Sequence, residues 1–430
     1  PFHTRKYLCH SAESQRFYAD SARWHAVASA SRVDLYMTPN DSSNPTNAAT
    51  PATRADSQAQ QALQAQQAQQ AQCCELGFYT LAGHSGTPRD LIAECHAAES
   101  LGLGTAFISE RFNTKDATAL SGAAGAVSTQ LGVATAATNH NTRHPLVTAT
   151  FAMTMHRLTE GRFALGLGRG FDALFDIMGL PHITMAQMAD AIDLYRRLWR
   201  GEMVFGHDGP AGNFPMLCLD PSFDEKIPVM LTAIGERTLE FAGSLADGVI
   251  LHTFFADDAL ERSVAAVHRG AEQAGRDPGS IRIWSVLATV GDHLDEELRL
   301  KKLVGRLATY LQGYGDLLVS VNGWDPQVLV KFRADDVVGS IGGAIDAIAT
   351  LDQLEHIATL FPEEWLQAAA TGTAEQCAAR VLAQFDLGAD GVILHGATPT
   401  ELAPVVSAYR GLRPPNRFDT QLANPGWAHA

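Results

Sequence analysis

Between Arg143 and Gly170 the chain reads RHPLVTATFAMTMHRLTEGRFALGLGRG, and the end of this stretch can hold a ligand by backbone alone. Phe163–Leu167 is short and apolar, as a buried strand is, and it runs into Gly168, Arg169 and Gly170. Glycines at a strand end let N–H groups come close to a phosphate or a flat ring. Arg169 adds a charge suited to an anionic group. A second polar pair, Glu110 and Arg111, directly follows the apolar run 105–109. A carboxylate there can carry a proton, whereas arginine stays protonated at neutral pH and cannot. An ion pair at the rim is the plain alternative for Arg111. The heptapeptide ADGVILH occurs twice, at 246–252 and 389–395. Each copy ends in a histidine, His252 or His395, that faces either a substrate or the packing of a rim.

Other positions carry weaker signals. Asn139 and His140 lie just past the apolar run 131–138; a turn residue and a solvated loop histidine are their plain readings. The segment AIGER at 233–237 opens a helix at Gly235, ahead of Glu236, and helix N–H groups can receive a phosphate. Arg143 reads as half of an ion pair, with a place among arginines that attract an anionic ligand as its alternative. The glycines at 166, 168 and 170 are spaced G-x-G-x-G, and Phe171 stands where a dinucleotide fingerprint needs its last glycine. GHSG at 83–86 misses a nucleophile elbow because Thr87 replaces the final glycine, so a hydrolase is not expected. The acidic run 292–297 reads as a solvated helix start. No His/Cys spacing suggests a metal.

Such residues need a frame that brings strand ends together. Apolar runs at 75–81, 105–109, 131–138, 163–167, 229–232, 248–251, 281–289 and 391–394 alternate with helical spacing at 88–101, 117–129, 145–158, 183–199, 237–246, 257–274 and 374–387. Eight short strands alternating with helices over this length predict a parallel (β/α)8 TIM barrel, with active residues at the C-terminal strand ends. A loop is expected at 201–226 and a late helical insertion at 292–370. A closing helix should end near residue 409, followed by a tail over 414–430. Residues 1–74 read as a disordered tail: 57–72 is nearly all Ala and Gln and has no apolar stripe. Met37 is the first methionine and the expected start of translation.

Composition bounds the function. With 430 residues, 46% hydrophobic and 18% charged, the chain can bury a full-sized barrel. A net charge of −15 without a basic stripe argues against nucleic acid. Six scattered cysteines and the lack of an apolar run of roughly 18 residues give a reduced, cytoplasmic protein without a membrane span as the default.

RHP…TEGRFALGLGRG, the strand ending ISERF and the repeated ADGVIL resemble the bacterial luciferase-like flavin and deazaflavin oxidoreductases over about residues 75–410. Within that superfamily the chain looks most like the actinobacterial branch that uses coenzyme F-420. The resemblance implies a barrel with a late insertion and a hydride-transferring oxidoreductase acting on a small molecule. It makes coenzyme F-420 the expected cofactor and FMN, with a monooxygenase activity, the alternative. It implies roles for Glu110 and Arg111 beside the ring, although Arg111 replaces the family's histidine. A bulge with a non-prolyl cis peptide is implied within residues 134–139, bringing Thr135, Ala136 and Asn139 to the cofactor. Gly168, Arg169, Gly170, Gly235 and Glu236 match cofactor-facing positions, and His252 and His395 substrate-facing ones. Members are often homodimers, which the sequence leaves open here. A non-catalytic barrel that has lost its cofactor is the reading from a different class.

Overall fold

The computed structural model describes residues 72–429 except 84 and 113. The expected low-complexity tail up to residue 71, with Met37, lies outside the described residues. Alternation of apolar runs and helices produces β1 (Cys73–Tyr79), α1 (Asp90–Leu101), β2 (Leu103–Ile108), α2 (Ala117–Val127), β3 (Gly132–Thr135), α3 (Pro145–Leu158) and β4 (Phe163–Leu167). Then come α4 (Asp172–Met178), α5 (Met185–Trp199) and an antiparallel hairpin, β5 (Val204–Gly209) with β6 (Gly212–Leu217). The second half holds β7 (Val229–Thr232), α6 (Glu236–Leu245), β8 (Gly248–Ile250), α7 (Asp257–Gln273) and β9 (Arg282–Gly291). Helices α8 (Glu296–Leu300), α9 (Arg306–Asn322) and five more, α10 to α14, form the insertion, which ends at Glu363–Leu366. Last are β10 (Ala370–Gly372), α15 (Ala374–Asp386), β11 (Gly391–His395) and α16 (Pro399–Leu412).

Among the described residues, eight strands pair in parallel in the order β1-β2-β3-β4-β7-β8-β9-β11, and β11 returns to β1. The expected TIM barrel is therefore closed. The duplicated ADGVILH supplies β8 and β11, and each copy is spliced in the same way. Asp247 accepts the Val229 N–H at 2.9 Å, and Asp390 accepts the Ile283 N–H at 2.8 Å. Phe107, Ala134, Ala164, Met230, Ile250, Trp284 and Ile393 fill the barrel interior. Gly391 is required beside this plug, since a Cβ there would stand 2.4 Å from the Trp284 ring.

Five expectations shift. Strand β1 starts two residues before Glu75, because buried Cys73 donates its N–H to the Gly102 carbonyl at 2.8 Å. The 201–226 loop holds the β5–β6 hairpin, anchored where His207 meets Asp190 at 3.0 Å. Strand β10 pairs with β9 just past the insertion, and α16 extends to Leu412. The C-terminal segment is not a loose tail. Buried Arg282 donates to the carbonyls of Leu422 and Asn424, both at 2.9 Å, and to that of Cys74 at 2.6 Å. Trp284 donates Nε1–H to the Pro425 carbonyl at 2.8 Å. The segment is thus clamped to the end of the barrel where β9 begins.

Candidate active site at the barrel mouth

The opposite ends of the strands surround a cavity of about 160 Å³, lined by Tyr79, Arg111, Lys115, Ala136, His252, Val286, Arg306, Tyr310 and His395 among others. The peptide bond between Ala136 and Ala137 is cis and lies in the strand-three bulge. The site therefore joins residues from β1, β2, β3, β8, β9 and β11 with two residues of the insertion.

Positive charge dominates the polar part of this lining. The loop after β2 closes on itself: Arg111 donates its N–H to the Lys115 carbonyl at 3.0 Å, and Lys115 returns the bond at 2.8 Å. Both side chains turn to neutral acceptors. Arg111 Nη1 reaches the Gly83 carbonyl at 3.2 Å, and Lys115 Nζ the Thr80 carbonyl at 3.3 Å. The Arg111–acid pair at the rim is absent among the described residues; the acid beside it is taken by Arg143. Arg306 comes from the insertion and is held by Asp346 at 2.7 Å. Burial pulls the Lys115 ammonium down to about 8, with repulsion from Arg111 next in weight. Burial and then Arg306 lower Arg111 as well.

Two tyrosines of α9, one helical turn apart, meet the two repeat histidines. The Tyr314 hydroxyl lies 2.7 Å from His252 Nε2, and the Tyr310 hydroxyl 3.4 Å from His395 Nε2. His252 Nδ1 donates to the Thr253 carbonyl at 2.8 Å, because a carbonyl can only accept. His252 Nε2 then accepts from Tyr314, which settles its tautomer. Among the described residues, the buried His395 Nδ1 has no partner. Burial pulls His252 down to about 4 and His395 well below the ordinary range. Phe171 leaves the β4 exit and stacks on Tyr314, with centroids 5.3 Å apart. These two rings strap the mouth from β4 to the insertion.

Glu110 stands one layer behind the cavity. Its carboxylate accepts the Ala117 N–H at 2.9 Å, the Thr138 hydroxyl at 2.7 Å and Arg143 Nη1 at 2.8 Å, with only 3% of the side chain exposed. So engaged, the carboxylate, expected from the sequence to act catalytically, is turned to these three partners and does not line this cavity. Thr135 and Asn139 are braces too: Thr135 Oγ1 bonds the Gly166 backbone at 2.8 Å, and Asn139 Nδ2 the Gly168 carbonyl at 2.7 Å. The glycine run answers to this crowding. A Cβ on Gly168 would stand 2.6 Å from Thr232 Oγ1, and one on Gly170, whose φ is +67°, 2.6 Å from Phe175. Arg169 is exposed and donates Nε–H to the Ile183 carbonyl at 3.0 Å. Gly235 begins α6 without a side-chain cap. Glu236 turns away to Arg269 at 2.5 Å. His140 is buried rather than solvated, and its Nε2 lacks a partner. Asp295 caps α8, as a helix start should, and among the described residues no acidic or His/Cys group could hold a metal.

The luciferase-like monooxygenase family model matches residues 47–391. The chain belongs to this family. Curated relatives of this luciferase-like protein include the 5,10-methylenetetrahydromethanopterin reductase of Methanolobus tindarius. It is 24% identical over 299 residues, 69% of this chain and 86% of that one. Similar solved structures include the coenzyme F-420-dependent tetrahydromethanopterin reductase from Methanopyrus kandleri, with a TM-score of 0.65 and 20% identity over 79% of this chain and 99% of that one. Another is an F-420-dependent secondary alcohol dehydrogenase in complex with an F-420–acetone adduct, at 0.59 and 17% over 79% and 99%. At such identities the structures establish the luciferase-like barrel. The family model bears out the family, and these structures the fold, that the sequence resembled. No helix among the described residues is long and apolar enough to cross a membrane.

Within this luciferase-like site, sequence reasoning missed Lys115, Arg306, Tyr310 and Tyr314. The i, i+4 tyrosine spacing in the insertion was the available signal, and its partners were the two repeat histidines.

Proposed function

We propose that the protein transfers hydride between coenzyme F-420 and a small organic substrate at the C-terminal mouth of its barrel. One observation carries the reading: Arg111 and Lys115, bonded only to carbonyls, line the same cavity as Ala136 of the bulge. That donor set fits an anionic deazaflavin. The charge of Arg111 and Lys115 favours an anionic ring from the cavity wall, and their spare donors stay open to a substrate. The cavity of about 160 Å³ is below the roughly 300 Å³ of small ligand sites, so a three-ring cofactor needs the Phe171–Tyr314 strap to move. When bound, the deazaflavin supplies a hydride-carrying ring, and the protein supplies binding, orientation and electrostatics.

Each residue then has a physical task. Ala136 leaves room on the cavity floor, and Tyr79 stands edge-on to His395 at 5.3 Å to wall one side. His395 Nδ1 is free to bond a substrate oxygen. His252, engaged on both nitrogens, holds Tyr314 in place. Glu110 locks Arg143 and Thr138 behind the bulge, keeping Ala136 in position. Arg169 and the uncapped helix start at Gly235 would hold the cofactor's anionic tail. The strap keeps water from the reacting atoms.

Fluorescence titration of the full chain with coenzyme F-420 and FMN, side by side, tests the reading. Saturable micromolar quenching with F-420 and weak binding of FMN is expected. Preference for FMN would move the protein to the monooxygenase reading. Binding of neither would leave a barrel without cofactor chemistry.

A further inference from the structure

We propose that the substrate handled at this mouth carries an anionic group, a carboxylate or a phosphate ester, seated between Arg111, Lys115 and Arg306. That the anion belongs to a substrate rests on the hydride-transfer reading above; the seat itself rests on geometry.

Arg111 and Lys115 form a bridged pair across their own loop, linked by two backbone hydrogen bonds. Side chains directly opposite in such a pair share a face, and like charges placed so destabilise each other. No described carboxylate hydrogen-bonds either side chain, and Asp346, which also acts on Arg111, is held by Arg306. Glu94, whose charge also acts on Lys115, gives Oε2 to the Leu81 N–H at 2.7 Å. Glu110 and Asp116 are both committed to Arg143. A third cation then arrives from a different part of the chain. Arg306 is 6% exposed, its charge is balanced by Asp346, and its Nε has no partner. The cavity therefore holds more positive charge than negative, with several N–H groups bonded to carbonyls or to nothing.

Burying unbalanced charge is costly, and proteins normally pair or expose it. A tetrahedral or planar oxyanion entering between the three side chains would balance the excess and take up the spare donors. The seat borders His395, whose free Nδ1 reaches a neighbouring substrate oxygen rather than the anion itself. Substrates with the reacting carbon a few bonds from a carboxylate or phosphate fit this division.

The test is calorimetric titration of the full chain with inorganic sulfate at constant ionic strength, without and with saturating coenzyme F-420. Native protein, Arg111→Gln, Lys115→Gln and Lys115→Arg are compared. We expect sulfate to bind the F-420-loaded native protein. Each Gln variant should weaken it about tenfold or more, as loss of a charge-assisted bond does. Lys115→Arg should retain binding, and native circular dichroism of the Gln variants shows that they are folded. Sulfate that binds only cofactor-free protein and is expelled by F-420 would assign the seat to the cofactor and overturn the substrate class. Absence of sulfate binding by F-420-loaded protein would overturn the seat while leaving the hydride-transfer reading intact. Sulfate binding lost in the Gln variants, with no F-420 binding by native protein, would leave the seat standing and remove the hydride-transfer reading.

Discussion

His252 is fixed as a neutral imidazole with its hydrogen on Nδ1, facing the Thr253 carbonyl, so Tyr314 must donate to Nε2. His395 occupies the matching place in the second repeat but keeps Nδ1 free. The sequence makes the two look equivalent; their partners make one a support and the other available to a ligand. Protonation of His252 carries a stability consequence. Unfolded, it takes a proton near 6.5, and folded only near 4, because burial opposes the charge. The unfolded chain therefore binds more protons between those values, and stability falls as pH drops through that window. The urea midpoint should be lower at about pH 5 than at pH 7, and His252→Asn should reduce the difference. An equal difference in that variant would show that His252 does not titrate this way. Lys115 and Arg306 could not be singled out from sequence, since no motif marks them. They become neighbours of Arg111 only because the 111–115 loop closes and the insertion folds over the mouth.

The insertion was legible as helical, because apolar spacing without a strand signal runs through it. Its task was not, because a helix does not announce which strand ends it will cover. Helix α9 breaks its helical geometry at Tyr314 (φ −152°, ψ 38°), and there Tyr314 meets both His252 and Phe171. Phe171, the residue that spoils the dinucleotide fingerprint, is the other half of the strap. An aromatic pair is worth about 0.5–1.5 kcal/mol, so removing it should ease opening by up to about tenfold. Phe171→Ala should accordingly speed F-420 association severalfold in stopped-flow fluorescence. An unchanged rate would mean that the strap does not limit entry. The β5–β6 hairpin reads as a loop in the sequence because Gly, Asp and Pro interrupt its two short strands, VFGHDG and GNFPML, and leave weak period-two alternation.

The two ends of the barrel do different work. At one end the chain terminus is clamped under β9 by Arg282, and at the other the strand ends open into the cavity. The strand–helix rhythm makes the barrel readable, and the repeated ADGVILH marks two of its strands. The role of the C-terminal segment is hidden in the sequence, because mostly backbone carbonyls, with the single side chain of Gln421, hold Arg282. Truncation before Gln421 would strip that buried guanidinium of most of its acceptors and should cost about 3–5 kcal/mol, read as a lower denaturation midpoint. A truncated protein as stable as the native one would show the clamp to be dispensable. The central claim, that the mouth takes a deazaflavin against Ala136, is tested most directly by titrating coenzyme F-420 into native protein and Ala136→Trp. Saturable micromolar binding to the native chain is expected, with its loss in a Trp variant that still shows native circular dichroism. Equal binding by both proteins, or none by the native one, would contradict it.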